Sequence, residues 1–264
     1  MLRLSQCFLV ISSVLAVVFP ASAQEDGKQI MRKSQDAMTL AGSESIARLV
    51  ISDGKGNQRM RKFTSASKTD ASQSVTKTIM RFLEPADVQG TSILTYDYEK
   101  KNDDMWLYMP ALRKIRRIVS GEKAKNFMGS EFTNADIMKP ALDEYVYKVL
   151  GSEPVDAIDC WKLEMIPATK AIADEYGYSK KIAWVAKPDY VMRKTEFFDA
   201  EGKLLKVMIT AKVQLLDEKL KKYQPVDIKM ENKQNGRSSG FVIERFAFNP
   251  NVKDEYFTTD YLEK

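Results

Sequence analysis

The spacing of apolar residues changes early in the chain, and that change sets most of the fold expectation. Over residues 26–38 the apolar positions Ile30, Met31, Ala37 and Met38 fall among polar ones, and Asp26 stands where the first turn of a helix needs an acceptor. The pattern predicts one short amphipathic helix. From Ser45 the period becomes two: Ala47, Leu49 and Ile51 alternate with residues such as Arg48, and Asp53-Gly54-Lys55-Gly56-Asn57 closes the run as a hairpin turn does. A third strand is predicted at about 73–83, with Thr76, Thr78, Met80 and Phe82 on one face and Lys77 and Arg81 on the other, ended by Glu84-Pro85. A fourth, at 91–98, aligns Leu94, Tyr96 and Tyr98. The next, at 104–110, is apolar on both faces and is expected to be covered on two sides.

Residues 120–140 lose all period, because Gly121, Asn126, Gly129, Asn134 and Pro140 punctuate them; a long loop with a helical turn is expected there. Strand patterns resume at 145–150, 160–166, 182–186, 191–198, 204–213, 226–230 and 241–248, separated by turn chemistry such as Lys187-Pro188-Asp189 and Asn235-Gly236. Residues 254–262 read as a last short helix or an extended tail. With no internal repeat and no low-complexity linker, residues 24–264 read as one antiparallel, mainly β domain with minor helices.

The first residues read as an address. Arg3 precedes an apolar run from Cys7 to Phe19, and Pro20-Ala21-Ser22-Ala23 supplies the small-x-small pattern that signal peptidase reads, so cleavage of residues 1–23 before Gln24 is expected. The run is shorter than the ~20 apolar residues that span a bilayer. The mature protein is expected to be soluble in an exported compartment. Cys7 leaves with the signal, and Cys160, left without a partner for an internal disulfide, reads as a core residue.

Composition narrows the chemistry. The chain of 264 residues carries no His, which removes the usual general acid–base side chain, the Ser-His-Asp and Cys-His nucleophiles and imidazole metal sites. No phosphate loop, dinucleotide fingerprint or nucleophile elbow occurs, acidic pairs such as Asp103-Asp104 read as solvated turns, and no cofactor or metal is expected. A carboxylate hydrolase is the one enzymatic alternative that spacing along the chain does not address. The segment Arg113-Lys114-Ile115-Arg116-Arg117 is the densest local charge. Export argues against nucleic acid as its partner, which leaves two readings: a solvated strand face, or positive charge presented to anionic headgroups or an acidic partner. The 13 Met and 12 Phe either fill a core or line an adaptable apolar interior.

Met105-Trp106-Leu107-Tyr108-Met109-Pro110-Ala111-Leu112-Arg113-Lys114-Ile115-Arg116-Arg117-Ile118, followed by Phe127-Met128-Gly129-Ser130-Glu131-Phe132-Thr133, resembles a signature of bacterial outer-membrane lipoprotein-sorting proteins, the LolA-like superfamily. Asp143 to Gly151, Ala183-Trp184-Val185 and Lys194 to Leu205 extend the resemblance over most of the chain beyond the signal, and the tryptophan-to-Arg113 stretch is its most specific part. It marks a branch often found with large inner-membrane lipid exporters rather than the housekeeping lipoprotein carrier.

The resemblance implies an unclosed β-barrel, a strongly curved antiparallel sheet with short helices plugging its concave side and an apolar hollow for acyl chains. It implies a monomeric carrier, not an enzyme, that takes lipid or lipoprotein acyl chains from an inner-membrane exporter towards the outer membrane; a lipid-responsive periplasmic regulator of a membrane-bound signalling partner is the alternative. Strand alternation nominates Met80, Phe82, Leu94, Tyr96, Trp106, Tyr108, Trp184, Ile209 and Met230 for the hollow. Arg113, Lys114, Arg116 and Arg117 are nominated for contact with a headgroup or partner at its rim.

Overall fold

A computed structural model describes residues 26–264; the expected signal and its cleavage point lie outside the described residues. The chain enters through helix α1 (Gly27–Met38), capped where Asp26 accepts from the Lys28 amide. Its buried stripe is Ile30, Met31 and Ser34, the face the apolar spacing predicted. Thirteen strands follow: β1 (Gly42–Ser52), β2 (Gln58–Thr69), β3 (Val75–Glu84), β4 (Ser92–Tyr98), β5 (Asp104–Met109), β6 (Lys114–Arg117), β7 (Tyr145–Val155), β8 (Ile158–Pro167), β9 (Lys180–Ala186), β10 (Met192–Phe198), β11 (Leu204–Asp217), β12 (Lys222–Asn232) and β13 (Ser238–Phe248). Helix α2 (Lys170–Tyr176) lies between β8 and β9.

All strands join one antiparallel sheet in the order β6-β5-β4-β3-β2-β1-β13-β12-β11-β10-β9-β8-β7. Each strand pairs with its sequence neighbour except at the centre, where β1 meets β13 and joins the two halves. β6 and β7 do not pair with each other, so the sheet curves without closing, as the resemblance implied. Bulges let the long strands bend: the β11–β12 register shifts near Thr210, Lys212 and Leu215.

Alternation sorts side chains into separate cores. On the concave side, Leu49, Phe63, Phe82, Ile93, Met105, Leu163, Val185 and Met230 form one cluster with Ile30 and Met31 of α1 and with Ile118, Phe127, Phe132 and Met138 of the segment between β6 and β7. That segment, the predicted loop, is a chain of 3-10 turns that fills the hollow from within. It plugs it. On the outer face, Ala66, Ile79 and Leu94 pack beneath Val252, Phe257 and Leu262 of the C-terminal turns, which resolves the tail as two 3-10 turns. A third cluster under β8 and β9 holds Cys160 together with Ile182 and Trp184. β5 is covered twice as predicted, with Met105 and Leu107 towards the plug and Trp106 and Tyr108 towards the C-terminal turns.

α2 was not predicted. Seven residues are too few for a helical period to stand out, although Thr169, which accepts from the Ile172 amide, and left-handed Gly177 mark its ends.

The two central hairpins touch at one end of the sheet. A Cβ on Gly54, whose φ is +75°, would stand 2.7 Å from the Gly236 carbonyl oxygen in the β12–β13 turn. Gly56, with φ +96°, has nothing within 4 Å of the same position. Gly54→Ala is therefore expected to cost about 1–2 kcal/mol more in chemical denaturation than Gly56→Ala, which meets only the backbone penalty. Equal costs would show that the close approach of the two turns is unimportant.

Candidate functional site

The hollow is bounded by the concave face of the sheet and occupied by the plug, residues 118–144. Its apolar part is aromatic: Phe127 of the plug stacks on Phe241 at 6.2 Å and meets Phe82 at 6.4 Å, Phe132 meets Phe241 at 4.9 Å, and Phe63 meets Phe82 at 5.4 Å. Met80, Met128, Met192 and Met208 pack around this cluster while staying partly accessible. Flexible thioethers at the margin and rings at the centre make a lining of adaptable shape.

Charge holds the plug in place. Asp136 pairs with Lys206 of β11 at 2.7 Å, each side chain 3% exposed, and accepts from the Tyr178 hydroxyl at 2.9 Å. Lys206 also donates to the Glu131 carbonyl at 2.9 Å, and Asn232 donates to the Glu131 carboxylate at 2.9 Å. Burial opposes ionisation of Asp136, yet Lys206, then Lys181, and the hydrogen bonds keep its carboxyl below its ordinary value. Lys181 itself lies within 5.0–5.6 Å of the ring centres of Tyr145, Tyr176, Tyr178 and Phe197. The plug is thus tied to β11 by a buried ion pair and to β12 by the Asn232 amide, not by apolar contact alone.

A second polar contact lies where β4 and β5 turn. Lys123 pairs with Glu175 of α2 at 2.7 Å and with Asp103 at 3.7 Å, and the Lys139 amide donates to Asp97 at 3.3 Å. Burial, and after it the charge of Asp103, pushes the Asp97 carboxyl up to about 8; burial pushes Asp103 up to about 6. Asp97 lines a polar cavity of about 330 Å³ with Arg32, Glu99 and Lys139. An apolar cavity of about 290 Å³ beside Leu40, Leu216, Leu220 and Phe248 opens near the end of α1. Where the β1–β2 turn meets the plug apex, a cavity of about 520 Å³ is lined by Ile51, Arg59, Arg61, Met128 and Arg237. A cavity of about 720 Å³ is on the outer face between β1–β3, β13 and the C-terminal tyrosines Tyr256 and Tyr261. Among the described residues no three His, Cys, Asp or Glu side chains converge as a metal site.

The nominated hollow residues divide between faces. Met80, Phe82 and Met230 join the concave cluster, but Leu94, Tyr96, Trp106 and Tyr108 belong to the outer cluster and Trp184 to the third. Ile209 is half-buried and alternates with Met208, which packs on the concave cluster. The physical reason is that both sides of this sheet are covered by protein, so an apolar stripe does not say which side faces the hollow. Arg113, Lys114, Arg116 and Arg117 are exposed and do not gather on one face. Arg117 lies opposite Trp106 and pairs with Asp104, while Arg116 lies opposite Leu107 and pairs with Glu122 at 2.6 Å. Missed by sequence reasoning were the plug's anchors Asp136, Lys206 and Lys181. A lysine interrupting an apolar strand was their only signal.

A family model described only as an uncharacterized protein matches residues 74–264, and the chain belongs to that family. It is similar over its length to a Vibrio parahaemolyticus domain described as an outer-membrane lipoprotein-sorting protein: 27% identity, 90% of this chain and 98% of that one, TM-score 0.82. A DUF1329 family protein from Desulfovibrio piger matches with 28% identity, 89% of this chain and 97% of that one, TM-score 0.82. A LolA superfamily protein from Nitrosomonas europaea, at 21% identity over 90% of this chain and 100% of that one with TM-score 0.69, shares the fold. No curated protein matches the sequence.

Two measurements check this site. Lys206→Met strips Asp136 of its nearest cation and is expected to cost about 3 kcal/mol in urea denaturation, while Lys206→Met with Asp136→Leu recovers most of the loss; equal costs for the single and double variants would mean that the pair does not anchor the plug. The raised carboxyl of Asp97 fixes a pH trend. Between its ordinary value near 4 and about 8, the folded chain keeps a proton that the unfolded chain has released, so stability falls as pH rises through that window, by at most ~1.4 kcal/mol per pH unit. Asp97→Asn is expected to flatten that slope between pH 5 and pH 8.

Proposed function

We propose that this protein is a non-catalytic periplasmic carrier of lipid or lipoprotein acyl chains, receiving them from an inner-membrane exporter and passing them towards the outer membrane. The observation that carries this reading is the hollow itself: the sheet stays open at β6 and β7, and its concave face is covered by an irregular segment of the chain, not by a second sheet. The likeness to lipoprotein-sorting domains supports it. Acyl chains enter by taking the place of Phe127, Met128 and Phe132, so the apolar surface uncovered by the departing plug is re-covered by cargo, at roughly 25 cal/mol per Å². Release reverses the exchange. The plug's own rings then return as the competing occupant, which keeps binding reversible without any covalent step.

The three tryptophans separate this hollow from the outer cavity. Trp161 packs on the concave cluster and stacks on Tyr190 at 5.1 Å, whereas Trp106 and Trp184 belong to the outer clusters. Brominated fatty acid added to the delipidated protein is expected to quench Trp161 emission, so that Trp161→Phe abolishes most of the quenching and Trp106→Phe little of it. The reverse pattern would place acyl chains in the outer cavity, and absence of quenching in the wild type would remove the carrier reading.

A further inference from the structure

The cavity at the plug apex is chemically unlike the others. Lys55, Arg59, Arg61 and Arg237 line it against a single carboxylate, Asp53. That carboxylate is already committed to its own turn, where it accepts from the Lys55 and Asn57 amides at 2.8 and 3.2 Å and from the Asn57 side chain at 2.7 Å. Neither Arg59 nor Arg61 forms an ion pair with any described residue. Arg59 and Arg61 share a face of β2 with Phe63, two residues further along, and Ile51 at the cavity floor shares a face of β1 with Leu49. A strip of cations thus runs straight into the aromatic cluster of the hollow.

Burial pushes the Arg61 guanidinium below its ordinary value, with Asp87 opposing and Arg59 adding to the effect. Its charge is held without full compensation at the mouth of an apolar site. Arg237 links the cavity to the plug, because it pairs with Glu131 at 2.9 Å and donates to the Gly129 carbonyl at 3.2 Å. The plug apex there carries two consecutive left-handed residues, Met128 at φ 49° and Gly129 at φ 73°.

Resting on the carrier reading, we propose that this cavity is the headgroup site: Arg59 and Arg61, with Lys55 beside them, bind the phosphate of an anionic lipid whose tails run along β1 and β2 into the hollow. Guanidinium groups suit this role because their planar fork meets phosphate oxygens in pairs. A neutral headgroup would leave the same cations without a partner, so the site selects phosphate-bearing lipids over neutral ones of equal tail length. The basic stretch at β6 does not take this part, since Arg116 and Arg117 already hold Glu122 and Asp104 on opposite faces.

The test compares two fluorescently tailed probes with identical chains, phosphatidylglycerol and diacylglycerol, bound to the full secreted protein. Wild type is expected to prefer phosphatidylglycerol by roughly ten- to a hundredfold, the range for losing charge-assisted hydrogen bonds. Arg59→Gln with Arg61→Gln is expected to erase that preference while diacylglycerol affinity, which reports an intact hollow, stays unchanged. Arg113→Gln with Arg117→Gln is expected to preserve it. Inorganic phosphate should compete with phosphatidylglycerol and not with diacylglycerol; if it binds equally well alone but never competes, the cavity takes free phosphate and the headgroup assignment falls. Equal affinity of wild type for the two lipids, or a preference that survives in the Arg59/Arg61 variant, overturns the headgroup site and leaves the carrier reading standing. Binding of neither lipid by wild type overturns both.

Discussion

An open curved sheet has an apolar inner wall that water must not reach, and everything else here answers that constraint. A closed barrel of this size would seal itself; a sheet with free edges at β6 and β7 must bring its own filling. The chain supplies it twice on the inside, with α1 and with residues 118–144, and once on the outside with its last turns. In the carrier reading proposed above, the inner filling is the part with functional meaning, because it occupies the volume that a guest needs.

That filling is attached in a way that separates fit from strength. Its rings meet those of β3 and β13, a contact that another hydrocarbon reproduces, whereas its carboxylates meet specific partners on β11 and β12. Desolvating two charges offsets much of what their pairing returns, so such a pair contributes more to which arrangement forms than to how tightly it forms. The same segment can therefore be exchangeable along its apolar side and exact in where it re-seats.

Much of this was legible from the residues. Period-two runs located most strands, Asp26 marked the start of α1, and the loss of any period after Val119 marked the plug. Strand ends were less visible: Gly151-Ser152-Glu153-Pro154 carries turn residues yet lies inside β7, where it pairs with β8, and β12 begins at Lys222, because polar residues on an outward face look like turn residues until the partner strand is known. The division of apolar positions into inner and outer sets was hidden for a related reason. Leu94 and Ile93 are neighbours, both buried, and only the C-terminal turns on one side and the plug on the other tell them apart. The basic cavity went unnoticed because its members lie in three separate stretches, at 55, 59–61 and 237, that come together only when β1–β2 and β12–β13 fold side by side.

The meeting of those two hairpins has a geometric consequence. Gly54 lets one turn lie against the backbone of the other, so the central seam of the sheet, where β1 joins β13, is pinched at one end. The other end of the seam is as close, since a Cβ on Gly42 would stand 2.3 Å from the Asn249 carbonyl oxygen, and β1 pairs with β13 all the way between. The centre of the sheet is therefore clamped along its full length, which fixes the spacing of the arginines beside it and leaves the unpaired edges of β6 and β7 as its unrestrained borders.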